Sequence, residues 1–326
     1  PIVQAQELYA GMGNLNASNY TNYPPINQLC FIIAGLFAGK SILGSVVALR
    51  ILIIAADFGT LYFGKKLLEK LNIPVHNIFW YILNPFIIIE LTGNLHFEGV
   101  VLLFLLATVL NLSRRRLEWS GTFWGLAVGM KLLPLMLAPL FFFWKGVRLS
   151  TRFWGMAVGV LVLAFLPLVY WNSWGNFFQS IQLYQGKFEF NASLYYVFRA
   201  IGYALAGYNT IGVLTKIGMG ITLCGAVWLS WKRSTVTFFE IPSVWVQLYL
   251  LYFLLQPVVH PWYLLPGLGL SILSRQWTFL LWSFGAIFSY QAYSQNPVQE
   301  QALFLVLEYG LVLFAHLLHL MMIEDL

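Results

Sequence analysis

Charge is what this sequence has least of. Lys and Arg number 18 and Asp and Glu 12 in 326 residues, or 9% of the chain. A soluble domain carries about 25%, and so few charges cannot cover a water-facing surface. Cysteine is nearly absent as well: Cys30 and Cys224 both sit in apolar runs. That excludes a disulfide framework and a cysteine metal site. No heptad pattern, solenoid repeat or low-complexity linker appears. A Gly-rich phosphate loop, a Ser/His/Asp order and a nucleic-acid motif are also missing. What fills the chain instead is 60% hydrophobic and 17% aromatic residues, with a mean hydropathy of +0.75. Such abundance excludes disorder. The composition is that of an all-α polytopic membrane protein.

A bilayer-spanning helix needs about 20 apolar residues, fewer where it is broken or buried among others. Apolar runs between polar breaks predict about eleven transmembrane or half-spanning helices. They cover 42–64, 77–92, 98–112, 118–130, 132–144, 153–171, 209–231, 241–257, 262–273, 277–293 and 302–322. The stretch 193–206 is expected to lie along the interface, and 172–192 is expected as a loop. Residues 1–326 are read as a single membrane-embedded domain. The opening segment is polar, without Met or signal peptide, so an N-terminal piece of about one helix is expected to be missing.

Basic residues set the orientation. Lys65, Lys66 and Lys70, then Arg114 to Arg116, then Lys145, Arg148 and Arg152, then Lys232 and Arg233, then Arg275 fall on alternate inter-helix segments. That side is expected to be cytoplasmic. The net charge of +6 and pI near 9.2 are thus largely topological, and no nucleic-acid partner is implied. The same rule predicts that residues 119–145 form a hairpin turning near Lys131, because one span would put Arg114–Arg116 and Lys145 on opposite faces. It also places the C-terminus, Ile323 to Leu326, inside.

Ionisable groups at membrane depth cost about 2.5–3.5 kcal/mol each on insertion scales, so each requires an account. Arg50 and Asp57, seven apart on one helix, are read as a structural pair or as contacts to neighbouring helices. Glu308, His316 and His319 on the last helix are read as structural. The opposite, base-poor side is different, since five polar clusters flanked by aromatics fall there. These are Asn22 to Gln28; Asn84-Pro85 followed by Glu90, Asn94, His96 and Glu98; Lys131 to Pro134; Lys187 to Ser193 with Tyr195, Tyr196 and Arg199; and Gln256 to Tyr263. They are expected to share a cavity near the outer leaflet. Singly, an Asn-Pro pair caps a broken helix and an interfacial Trp belongs to the aromatic belt. Metal binding has weak support: His96 and Glu98 are two apart, whereas helical ligand pairs sit three or four apart. A turn that gathers Glu90, His96 and Glu98 leaves a divalent metal open, and no cofactor is required.

Taken in order, Tyr23-Pro24-Pro25-Ile26-Asn27-Gln28, the Asn84-Pro85 to Glu98 run, Lys131-Leu132-Leu133-Pro134, Phe190 to Tyr196 and His260-Pro261-Trp262-Tyr263 resemble the GT-C superfamily of integral-membrane glycosyltransferases. The likeness is nearest to bacterial polyprenyl-phosphate-mannose-dependent mannosyltransferases. The resemblance implies a bacterial plasma-membrane enzyme with an extracytoplasmic site. It would move a hexose, mannose foremost, from a polyprenyl-phosphate donor to an acceptor glycan or lipid. It also implies an Asp in the first outer loop as base. Residues 1–25 hold Glu7 but no Asp, so that Asp is expected upstream, with Glu7 as the weak substitute.

For the donor phosphate the candidates are Lys131, Arg199 and His260, with Lys216 behind them. For sugar and acceptor they are Tyr23, Asn27, Gln28, Glu90, Asn94, His96, Glu98, Asn191, Trp262 and Tyr263. Other uses of the same substrate class remain open here, namely a flippase of a lipid-linked sugar and a lipid-linked glycan ligase or polymerase. A flippase should show internal repeats, and none is present.

Overall fold

The structure of the protein, a computed structural model, describes residues 4–39, 41–143, 150–233, 238–294 and 298–324. Lys145, Arg148 and the last two residues lie outside the described residues. Among those described, the chain is helical, and one isolated bridge between Phe190 and Val258 is its extended pairing. Five helices are long and apolar enough to cross a membrane, or six if a pair bent by 48° counts as one span. The remaining expected spans are shorter helices. In chain order the helices are α1 (Ala5–Gly11), α2 (Gly13–Ala17), α3 (Pro25–Phe37), α4 (Ile42–Lys70), α5 (Val75–Ile82), α6 (Pro85–Gly93), α7 (Glu98–Ser113), α8 (Leu117–Met130) and α9 (Leu133–Phe143). They continue as α10 (Thr151–Tyr170), α11 (Trp174–Lys187), α12 (Leu194–Ala206), α13 (Ile211–Lys232), α14 (Phe238–Leu255), α15 (Leu265–Ser274), α16 (Thr278–Gly285) and α17 (Ala302–Glu324).

Local chemistry explains the boundaries. Pro25 occupies the first position of α3, where its missing N–H costs nothing. Asn84 is extended because Pro85 follows, and its side chain accepts the Phe86 N–H, so the apolar run breaks into α5 and α6. α12 ends at Gly207, at φ 77°. On the spanning helices large apolar side chains remain exposed, such as Leu43, Ile51 and Phe58 on α4, Leu163 on α10 and Phe314 on α17. A water-soluble surface does not carry such contiguous apolar area. These faces meet lipid, and the protein is an integral membrane protein.

The expected loop 172–192 is corrected by α11. Its composition is too polar for a span, yet Phe177 and Ser180 on one of its faces are buried. A search for apolar runs cannot find such a helix.

The chain divides into two compact units, each assembled from three segments. The first comprises Pro1–Phe63, Leu91–Leu135 and Ser150–Tyr184; the second comprises Gly64–Glu90, Met136–Leu149 and Gln185–Leu326.

In the first unit α7 and α8 pack as an antiparallel pair through the Arg114–Arg116 turn, and the Ser120 hydroxyl donates to the Thr108 carbonyl at 3.0 Å. α10 runs parallel to α8, since Gly121 meets Phe153 and Gly125 meets Ala157. Arg152 pairs with Glu118 at 3.3 Å where both helices begin. α8 and α10 thus begin at the same end, and the Trp124 indole N–H donates to the Pro134 carbonyl at 3.3 Å just beyond the end of α8. Arg50 donates from Nε to the Thr92 carbonyl at 2.8 Å, a contact with the end of α6 rather than with Asp57.

In the second unit α13, α14, α15, α16 and α17 pack in sequence around Trp245, Trp282, Phe253 and Phe279, all fully buried. Basic groups collect at one end. Lys70 lies 5.9 Å over the Phe238 ring, Arg233 pairs with Glu240 at 3.0 Å, and Arg275 Nη2 donates to the Asn72 carbonyl at 3.1 Å. The segments 188–193, 256–263 and 298–301 lie at the other end.

Close approach of α8 and α10 depends on missing side chains. A Cβ on Gly121 would fall 2.1 Å from the Phe153 carbonyl oxygen, and one on Gly125 would fall 2.9 Å from that of Ala157. Without a hydrophobic drive inside lipid, helices associate through such backbone contact. Gly121→Ala should therefore lower the thermal midpoint in detergent, by about 1–3 kcal/mol of overpacking. Gly155→Ala, where a Cβ meets nothing within 4 Å, should not. Equal midpoints for both variants would disprove the close approach.

Candidate active site

In the first unit the antiparallel α7–α8 pair brings an acid and a base together. Glu98 opens α7 and Lys131 closes α8, so each charge opposes the partial charge of its own helix end. The Lys131 ammonium donates to Glu98 Oε1, with 17% and 3% of the two side chains exposed. Tyr23, just before α3, presents its ring to the ammonium at 5.4 Å. Rings continue from Tyr23 to Phe31 at 5.9 Å and from Phe31 to Phe97 at 5.5 Å. Burial foremost, and the Glu98 charge secondarily, push the Tyr23 hydroxyl up against the opposing pull of Lys131, so it stays protonated as a donor.

Gln28 holds this entry segment in place, donating to the Tyr23 carbonyl and the Thr21 hydroxyl, each at 3.2 Å. Asn27 is fully buried, and neither of its amide atoms has a partner among the described residues; nor does Glu98 Oε2. Buried polar atoms are normally hydrogen-bonded, so these groups, like Asp57 Oδ1 and Thr60 Oγ1 in the same unit, are left for recognition. Asn94 is exposed and His96 half-buried in the turn before α7. Glu7 is exposed on α1.

In the second unit two segments about 70 residues apart are joined. The Phe190 N–H donates to the Pro257 carbonyl at 2.9 Å and the Val259 N–H to the Phe190 carbonyl at 2.8 Å. This bridge carries His260 into an aromatic nest. Its ring stacks on Trp262 at 4.3 Å, lies 5.0 Å from Phe190 and 5.4 Å from Tyr263, and its Nδ1 is 3.3 Å from the Tyr293 hydroxyl. Glu90, fully buried in the π-helical turn of α6, lies close enough to Tyr293 to act on it electrostatically, as does Glu300.

Beside the nest, Glu189 is the hub for a cation. It accepts from Arg199 Nη1, from Tyr195 at 2.5 Å and from Asn209 at 2.8 Å, while the guanidinium stacks 4.4 Å over Tyr196. Burial alone would raise the Glu189 carboxyl. The hydrogen bonds from Tyr195 and Asn209 and the Arg199 charge outweigh it and hold Glu189 below the usual range.

Asn191, at φ 49°, is the anchor of the loop. Glu300 accepts its N–H at 2.5 Å, Tyr309 donates to its carbonyl at 2.5 Å, and its amide donates to Glu308 Oε1 at 2.9 Å. The Trp282 indole donates to the same oxygen at 2.7 Å. Asn84 likewise serves the backbone, capping α6 and donating to Ser283 at 3.1 Å. Thus Tyr23, Glu98 and Lys131 meet in one unit, and Arg199, His260, Trp262 and Tyr263 gather in the other. Among the described residues no three His, Cys, Asp or Glu side chains are grouped to hold a metal ion.

Sequence reading missed Glu300, Tyr293, Asn209 and Tyr309. For Glu300 one signal existed: it is the acid in an otherwise neutral polar segment, 294–301.

Residues 3–147 match the family described as alpha-(1->6)-mannopyranosyltransferase, N-terminal domain. The chain is similar to a mannosyltransferase. A search of curated proteins gives no match. The matched segment contains Tyr23, Asn27, Gln28, Glu90, Glu98 and Lys131, while Arg199 and His260 lie beyond it. Transfer of a mannosyl group is the chemistry this likeness supports, with a sugar donor and an acceptor as substrates.

Glu98 and Lys131 are mutually dependent. Glu98→Gln deprives a largely buried ammonium of its carboxylate and should cost about 3–5 kcal/mol. The Glu98→Gln/Lys131→Met double variant should recover much of it, read as thermal midpoints in detergent. A double variant as unstable as the sum of the single ones would remove the coupling. The depressed Glu189 carboxyl contributes stability that is complete above the ordinary carboxylate range and is lost as pH falls through its lower folded value. In an acid titration followed by tryptophan fluorescence, Glu189→Gln should abolish this part of the loss. A wild-type acid limb that persists in the variant would disprove it.

Proposed function

We propose that the protein transfers mannose from a polyprenyl-phosphate donor to a hydroxyl of an acceptor glycan or lipid. The site lies at the base-poor, extracytoplasmic end of the helices, and the linkage made is the α-1,6 linkage of the matched family's description. The observation that carries this reading is that family match in a chain whose long helices expose apolar faces to lipid. A donor with a polyprenyl tail reaches such a site laterally from the bilayer, and no nucleotide-cradling loop is needed.

In the reaction the acceptor oxygen attacks the sugar C1, the C1–O bond to phosphate breaks, and the phosphate oxygen keeps the electron pair. The acceptor proton passes to a carboxylate base. Within residues 1–25 the acid available for that role is Glu7. Charge developing on the phosphate needs preorganised donors. Arg199, steadied by Glu189 and Tyr196, and His260, steadied by Trp262 and Tyr293, are the groups suited to it. Lys131 with Glu98 and Tyr23 forms the second cationic site, and Asn27 and the second Glu98 oxygen match sugar hydroxyls. Trp262 and Tyr263 offer faces for a pyranose ring or the first prenyl units.

The test uses full-length protein in nanodiscs, radiolabelled polyprenyl-phosphate mannose and short α-1,6-mannosyl acceptors. Transfer into an α-1,6-linked product is expected. Arg199→Ala and His260→Ala should each lower kcat by about 10²-fold, and Arg199→Lys by less, since it keeps the charge but loses the planar fork. Transbilayer movement of donor in vesicles without transfer would replace the enzyme by a flippase.

A further inference from the structure

At its basic end the second unit encloses a cavity that the transfer reaction does not use. Its volume is about 470 Å³, and Asn77, Trp80, Ser243, Ser271, Arg275 and Trp277 are among its lining residues. α14 passes it at Ser243, near its start, and ends at Leu255 just before Gln256, while α15 starts beyond His260 and ends at the cavity. Cavity and His260 nest therefore lie at opposite ends of the same helices, roughly 20 Å apart by helix rise.

Three observations give the ligand its chemistry. Ser271 is fully buried on the cavity wall, and its hydroxyl has no hydrogen-bond partner among the described residues. Such a group is normally satisfied, so the wall presents one unspent donor at depth. Arg275 is exposed at the rim, where one guanidinium nitrogen bonds the Asn72 carbonyl and the other N–H donors of its fork remain. Trp80 and Trp277, 51% and 42% exposed, flank the opening as side chains do at a headgroup boundary, and Ile272 and Leu280 add apolar wall. A cation at the rim, a hydroxyl inside and apolar flanks match an amphiphile with an anionic head. The volume suits a headgroup, and Lys70 at the same end adds attraction for an anionic leaflet.

We propose that this cavity binds the anionic headgroup of a phospholipid from the adjoining leaflet, with Arg275 meeting the phosphate and Ser271 donating to an oxygen deeper in the head. The exposed flank of the site opens to the bilayer that supplies the lipid. A freely soluble anion would have no use for the two tryptophans Trp80 and Trp277.

The test is lipid retention by full-length protein, extracted in detergent and titrated with phosphatidylglycerol or phosphatidylcholine, read by native mass spectrometry. Wild type should retain one phosphatidylglycerol in preference to phosphatidylcholine. Ser271→Ala and Arg275→Asn should each weaken that retention about tenfold, as loss of a hydrogen bond to a charged group does. Asn suits position 275 because that residue sits at φ 56°. Helix content by circular dichroism checks both folds, and Ser271→Ala carries the result alone if Arg275→Asn misfolds. Unchanged retention in Ser271→Ala, equal retention of phosphatidylcholine, or displacement of the lipid by inorganic phosphate would each overturn the proposal.

Discussion

Hydrocarbon offers no hydrogen bonds, and every other feature of this protein answers to that constraint. Backbone groups in a bilayer must be satisfied within the chain, which leaves helices as the economical solution for a sequence of this composition. Where a helix breaks, its freed groups must be met locally. Asn84 does this at the Asn84-Pro85 break, accepting from Phe86 and donating to Ser283. The same requirement explains Arg50, which pairs with no acid among the described residues but satisfies the Thr92 carbonyl next to the turn before α7.

Charges obey the constraint by meeting one another at helix ends. Glu98 and Lys131 are brought together because the helices they open and close run antiparallel, and their union leaves no net buried charge. In the second unit the arrangement is graded. Glu308 and Glu300 lock the Asn191 loop, the bridge from Phe190 to Val258 fixes the His260 segment to it, and Glu189 steadies Arg199. Structural carboxylates thus hold the groups that can meet an anionic substrate. A site built this way is preorganised, as the proposed stabilisation of a developing phosphate charge requires.

Much of the fold was legible because hydropathy and the position of Lys and Arg are one-dimensional signals. The spans beginning near Ile42, Thr151, Ile211 and Ala302 follow apolar length. The helix Trp174–Lys187 was illegible, since its buried face holds too few apolar residues to stand out. Of the candidate site, the residue types were visible but not their employment. Asn191, a sugar-ligand candidate by its sequence, is bonded to Glu300, Glu308 and Tyr309, while Glu300 and Tyr293 carry no motif and gain meaning from what they touch.

By itself the sequence determined that this is a helical membrane protein, which end of its helices is basic, and that its ordered motifs resemble membrane mannosyltransferases. Those conclusions rest on composition and order, which survive without coordinates. Only the tertiary structure decided which polar groups are spent on holding the chain and which remain for a ligand. That distinction depends on hydrogen bonds between residues as far apart as Asn191 and Glu308, and on glycines at 121 and 125 that let two backbones touch. The first of these is set by packing in three dimensions and no local pattern encodes it, while the Gly121-x-x-x-Gly125 spacing marks a close-packing face without naming α10 as its partner.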